Sequence, residues 1–131
     1  MSAVVNEEVV NDTAKLAMHR LIARALARDP SVLTTARGRW QQMADRYPDR
    51  SFVAEWDEVL SLPDPQIRAL LVRRDERMTR LRLSSPFTLT SGPVDLTDVS
   101  VRRRIWKLAR RVAIRSVRRS NECQVAPGMV A

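Results

Sequence analysis

Apolar residues recur at steps of three and four along most of this chain, and only Phe87-Thr88-Leu89-Thr90 hints at the alternation of a strand. The pattern predicts an all-α fold of four or five helices in a small bundle, ending in a basic amphipathic helix. After an N-terminal tail over residues 1–11, a first helix runs from Asp12 or Thr13, either of which can cap its free amides, to Arg28. Leu16, Met18, Leu21, Ile22, Ala23, Ala25 and Leu26 form its apolar arc, and Arg20, Arg24 and Arg28 line the polar side. Asp29-Pro30 reads as an N-cap followed by proline at the first helical position. The second helix then carries Leu33, Ala36, Trp40, Met43 and Tyr47 on one seam until Pro48 stops it.

A third helix over Ser51–Leu60 places Phe52, Trp56, Val59 and Leu60 on one face. Asp64-Pro65 repeats the cap signature and opens a segment in which Ile67, Leu70, Leu71, Met78 and Leu81 keep helical spacing. One long or kinked helix is the preferred reading there, although Arg73 to Arg77 interrupts the apolar side. This helical body covers 12–83. Ser, Thr, Gly92 and two prolines make 84–94 a loop and hinge. The last helix, over 95–120, is capped by Asp95 or Thr97, and 121–131 reads as a disordered tail.

Charge changes this picture by being confined to one end. The chain has a net charge of +8 over 131 residues, and beyond Ser100 its basic residues face a lone acidic one, Glu122, while the preceding residues are close to neutral. In the last helix Val101, Ile105, Trp106, Leu108, Ala109, Val112, Ala113 and Val117 fall on one half of the cylinder. Arg103, Arg104, Lys107, Arg110, Arg111, Arg115 and Arg118 fall on the other, with Arg102 and Ile114 as misfits. Almost all the cations are arginine, which suits bidentate contacts to carboxylate or phosphate, although a GC-rich genome would produce the same bias. The single cysteine, Cys123, can close no intrachain disulfide. With no apolar run of membrane length and an acidic N-terminus, the expected location is cytoplasmic.

A search for chemistry returns little. His19, the only histidine, falls within the apolar arc of the first helix and reads as a packed residue. Gly38, Gly92 and Gly128 are isolated, so no phosphate loop or dinucleotide fingerprint exists. Glu55, Asp57, Glu58, Asp64, Asp75 and Glu76 could in principle gather a metal ion, but they read as a solvated face. Trp40, Trp56 and Trp106 lie on apolar seams and read as packing residues ahead of base-stacking platforms. No enzyme and no cofactor or metal is expected.

The basic helix admits four readings: contact with nucleic-acid phosphates, adsorption to an anionic bilayer, docking into an acidic protein groove, or completion of this chain's own core. The bilayer ranks last among the partners.

Several short motifs run in order: His19-Arg20-Leu21-Ile22, Asp29-Pro30, Ala36-Arg37, Trp56, Val59-Leu60 and Ala69-Leu70-Leu71-Val72. Arg80-Leu81-Arg82-Leu83-Ser84-Ser85-Pro86-Phe87 and Arg104-Ile105-Trp106 complete them. Over about 16–110 this pattern resembles a family of short, helix-rich bacterial proteins of toxin–antitoxin pairs, as the antitoxin member. The resemblance implies a non-catalytic protein that binds a cognate toxin and blocks its active surface. Ser85, Pro86 and Phe87, with Ile105, Trp106, Leu108 and Val112, are the expected partner-binding residues, the Pro-Phe pair as an anchor in an exposed loop. Arg103, Arg104, Lys107, Arg110, Arg111, Arg115 and Arg118 are the expected contacts to phosphate or to an acidic partner. If the last helix hangs on a hinge, its removal should leave the rest folded.

Overall fold

The computed structural model describes residues 6–90 and 95–130, with side chains as far as 119. Every regular element in them is helical: α1 (Glu7–Arg28), α2 (Ser31–Arg46), α3 (Ser51–Leu60), α4 (Asp64–Leu71), α5 (Glu76–Leu81), a 3-10 turn (Arg82–Ser84) and α6 (Val99–Val130). The all-α expectation holds, and the number of α-helices among the described residues is six. The added helix comes from a break near Asp75. The Asp75 carboxylate accepts from the Met78 N–H at 2.7 Å and so caps α5 locally, which competes with continuing α4.

Helix α1 begins earlier than the pattern of large apolar residues suggests. Asn6 supplies the cap, accepting from the Glu8 N–H at 2.9 Å, and Glu7 and Glu8 in the first turn suit the positive end of the helix dipole. Residues 7–11, assigned to a tail on pattern, are therefore helical; 1–5 lie outside the described residues. Asp29 caps α2 as expected through the Ser31 N–H at 3.0 Å. At α4 the register is one residue off expectation, since Asp64 is the first helical residue and Pro63 precedes it as the cap.

Helix α1 is the element around which the others gather, with α2, α4, the 3-10 turn and α6 all packed on it. Its Val10, Ala14, Ile22 and Leu26 are buried, while Arg20, Arg24 and Arg28 stay exposed as the polar stripe requires. On α3, Trp56 is wholly buried, and its indole N–H donates to the Leu81 carbonyl at 3.2 Å, which ties α3 to the end of α5.

The segment after the 3-10 turn is no free hinge. Pro86 is fully buried and Phe87 is 5% exposed, its ring centroid 6.0 Å from that of Trp56. The Leu96 N–H donates to the Leu89 carbonyl at 2.9 Å, and Leu96 is itself buried. Apolar burial outweighs the turn-like composition here, and the part of the loop at 91–94 lies outside the described residues.

Helix α6 is capped by Asp98, not Asp95 or Thr97. The Asp98 carboxylate accepts from both the N–H and the hydroxyl of Ser100, whereas Asp95 closes the preceding turn onto Thr97. The helix also runs past 120 through the stretch 121–130 that reads as a tail, Pro127 and Gly128 included. It packs antiparallel to α1: Arg110 pairs with Glu7 near the start of α1, and Lys15, further along α1, lies over the Trp106 ring nearer the start of α6. Ile105, Ala109 and Ala113, one turn apart, are buried in that contact. The two alanines let the backbones approach closely.

Two consequences can be measured. First, the His19 ring is 2% exposed, and its pKa is pushed down to about 4 by burial, with Arg82 and Lys15 adding repulsion and the Lys15 carbonyl partly opposing the shift. Between pH 6.5 and 4 the unfolded chain takes up a proton that the folded ring refuses, so stability present above pH 6.5 declines as the pH falls through that window. The full loss is on the order of 3 kcal/mol. As His19 is the only histidine, denaturant titrations between pH 7 and 5 should show the slope, and His19→Asn should remove it.

Second, a chain ending at Ser100 loses the buried Ile105, Ala109 and Ala113 and uncovers the side of α1 on which α6 packs. With about 1.5–3 kcal/mol for each large apolar side chain uncovered against a domain stability near ~5–15 kcal/mol, it should lose cooperative thermal unfolding. An unchanged Tm would show that α6 is dispensable, as a hinged helix would be.

Candidate functional site

The cations expected to make contacts are all surface residues of α6. Arg103, Arg104, Lys107, Arg110, Arg111, Arg115 and Arg118 are each exposed. With 3.6 residues per turn they span an arc of about 140°, centred opposite the buried stripe of Ile105, Ala109 and Ala113. Arg110, at one edge, is engaged within the chain, its guanidinium 2.6 Å from the Glu7 carboxylate, which holds the Glu7 pKa below its ordinary value. For the other six, no carboxylate among the described residues lies within ion-pair distance. Arg103, Lys107, Arg111 and Arg115 repeat at i, i+4, so like charges stack along the helix. Each such pair costs roughly 0.2–0.5 kcal/mol.

The expected partner-binding residues do not form one surface. Pro86 and Phe87 are core residues, and Ser85 is occupied: its hydroxyl donates to His19 Nε2 at 2.8 Å and accepts from the Phe87 N–H. The Nδ1 of His19 lies 2.7 Å from the Lys15 carbonyl and must donate to it, which fixes the neutral tautomer. Ile105 is buried against α1, and Trp106 is half-buried, with Lys15 Nζ and Arg102 Cζ each 5.8 Å from its ring centroid. Of the apolar set only Leu108 (58% exposed) and Val112 (49% exposed) face outward, beside the cationic arc.

Of the carboxylates considered for a metal, Glu55, Glu58, Asp64 and Asp75 are spent on arginines. Glu55 takes a bidentate contact from Arg80 at 3.0 and 3.1 Å, Arg77 reaches Glu55 and Glu58, and Asp75 pairs with Arg73 at 2.8 Å. The Arg80 contact chiefly holds the Glu55 carboxyl below its ordinary pKa. Among the described residues no group of His, Cys, Asp and Glu could hold a metal ion. Trp40 and Trp56 act as packing residues, each indole N–H donating to a backbone carbonyl.

One feature was not legible in the chain. A cavity of about 260 Å³ opens where α1, the 3-10 turn, the following extended segment and the start of α6 meet, and Lys15, Arg39, Arg82 and Arg102 line it. Arg82 is only 3% exposed, and its guanidinium donates to the carbonyls of Leu71 at 3.3 Å and Arg73 at 2.7 Å beyond the end of α4. The only local hint is Leu81-Arg82-Leu83, an arginine within an apolar run; the four cations come from distant parts of the chain.

No described helix is long and apolar enough to cross a membrane. Comparison with protein-family models, with curated proteins and with solved structures finds no match to this chain.

Proposed function

We propose that this chain is a non-catalytic nucleic-acid-binding protein that lays the cationic face of α6 along a phosphate backbone. The observation that carries the reading is the set of six exposed cations with no carboxylate at ion-pair distance among the described residues, opposite the stripe by which α6 is anchored to α1. An anchored helix presents its charges in a fixed array. A polyanion relieves the like-charge repulsion at i, i+4 and releases its own condensed counterions on binding. Arg103 to Arg118 spans about 24 Å of helix, enough to follow several phosphates along one groove edge. Arginine serves this contact better than lysine because its planar fork grips phosphate oxygens in pairs.

The second reading is the antitoxin-like one, in which the chain neutralises a cognate toxin protein. The resemblance of its motifs supports it, together with the outward-facing Leu108 and Val112 beside the arginines. Its anchor would be this pair with the flanking cations, since Pro86 and Phe87 are committed to the core.

Fluorescence anisotropy with a labelled duplex should show affinity falling steeply with salt, log K against log salt having a slope of up to about −5 for six phosphate contacts. Arg111→Gln, Arg115→Gln and Arg118→Gln combined should reduce that slope by about 2–3 and weaken binding. All three side chains are exposed, so the Tm should stay near that of the parent. Absence of binding at low salt, or a slope unchanged in the triple variant, refutes the reading. For the second reading, Leu108→Ser with Val112→Ser, which leave the charge of the cationic face unchanged, should abolish capture of a toxin encoded by an adjacent gene while leaving duplex binding in place.

A further inference from the structure

We propose that the cavity lined by Lys15, Arg39, Arg82 and Arg102 is a binding site for a phosphate-class oxyanion, distinct from the outer face of α6. The first ground is charge. Four cations from α1, α2, the 3-10 turn and α6 converge on one cavity, and no described carboxylate lines it. Lys15 and Arg102 are close enough for each to oppose the other's charge, so the walls repel one another until an anion lies between them.

The second ground is Arg82. It is 97% removed from solvent by its 3% exposure, its Nε finds no hydrogen-bond partner, and its other contacts are neutral oxygens of Leu71, Arg73 and Thr79. A buried guanidinium without a carboxylate at ion-pair distance is costly, and cations so placed are ordinarily compensated by a counter-charge. Asp75 and Asp12 act on it only from a distance. An oxyanion in the adjoining cavity supplies the missing charge.

The third ground is shape and polarity. At about 260 Å³ the cavity falls just below the roughly 300–1,000 Å³ of drug-sized sites. It therefore suits a phosphate group or a small phosphomonoester. Thr88 also lines the cavity and brings a hydroxyl donor, and neutral His19 with Ser85 adds a hydrogen-bonded pair that carries no negative charge. Both a free phosphomonoester and the terminal phosphate of a nucleic-acid strand present this chemistry.

The test is a titration of the full-length protein with inorganic phosphate, read by amide chemical shifts at Ser85, Thr88 and Thr97, with chloride at matched ionic strength as the reference. Saturable shifts specific to phosphate are expected. Arg39→Gln with Arg102→Gln, both exposed positions, should weaken the affinity at least about tenfold. Arg82 is left intact because it holds the end of α4.

The Arg111, Arg115 and Arg118 variant should keep the parent's phosphate affinity, which separates this site from the duplex-binding face. Competition by a nucleoside monophosphate supports the site with a free phosphomonoester as its ligand. Tighter binding of a 5′-phosphorylated than of a 5′-hydroxyl oligonucleotide, lost in the Arg39/Arg102 variant, supports it with a strand end. Shifts that grow linearly and equally in chloride, or parent-like affinity in the Arg39/Arg102 variant, overturn the proposal.

Discussion

The packing of α6 against α1 is the contact on which the remaining structure depends. Val10, Ala14, Ile22 and Leu26 of α1 are all buried, and α2, α4, the 3-10 turn and α6 pack on it, so it is covered from several sides. Ala109 and Ala113 supply little apolar area themselves, and Ile105 is the large side chain of the same stripe that α6 buries. The close fit orients α6 as well as holding it. Its rotation about its own axis is set by the buried stripe, and the direction of its arginines follows.

Polar burial is the second organising element. His19 sits on the inner side of α1 because both ring nitrogens are satisfied, one by a carbonyl of its own helix and one by Ser85 from the far end of the body. This pair fastens the segment after the 3-10 turn, and Phe87 then lies against Trp56. Arg82 closes the end of α4 by donating to the carbonyl of its last residue, Leu71, and to that of Arg73 just beyond it, where a cation is favoured by the helix dipole. One arginine thus joins two helices that the sequence pattern would have run together.

Much of the helical plan is legible in the sequence, and the losses have identifiable causes. Helix α3 falls on Ser51–Leu60 as its spacing predicts, and Asp29 caps α2. The start of α1 was hidden because Asn6, Glu7 and Glu8 carry a capping signal but no apolar period. The division of α4 from α5 depends on a single capping carboxylate and an arginine distant from it, which periodicity does not record. The cationic arc of α6 is a local property and was readable in full. The cavity was not, since its cations belong to separate elements and meet only after folding. Ser85-Pro86-Phe87 misled for a related reason: a proline next to an aromatic reads as an exposed anchor until a partner within the same chain, Trp56, is found to cover it.

Beyond Ala113 none of the described residues of α6 is buried, yet the helix continues to Val130, giving it a total length of about 48 Å. The positive charge is displaced to one side of a nearly neutral body, so the molecule carries an electric dipole pointing from that body towards the exposed cationic face of this helix. In the field of a polyanion such a molecule turns before it touches, so the torque on the dipole, and not collision at random orientation, selects the face that arrives first. Encounter should then be biased towards productive geometry over distances of about a Debye length, ~8–10 Å at physiological salt.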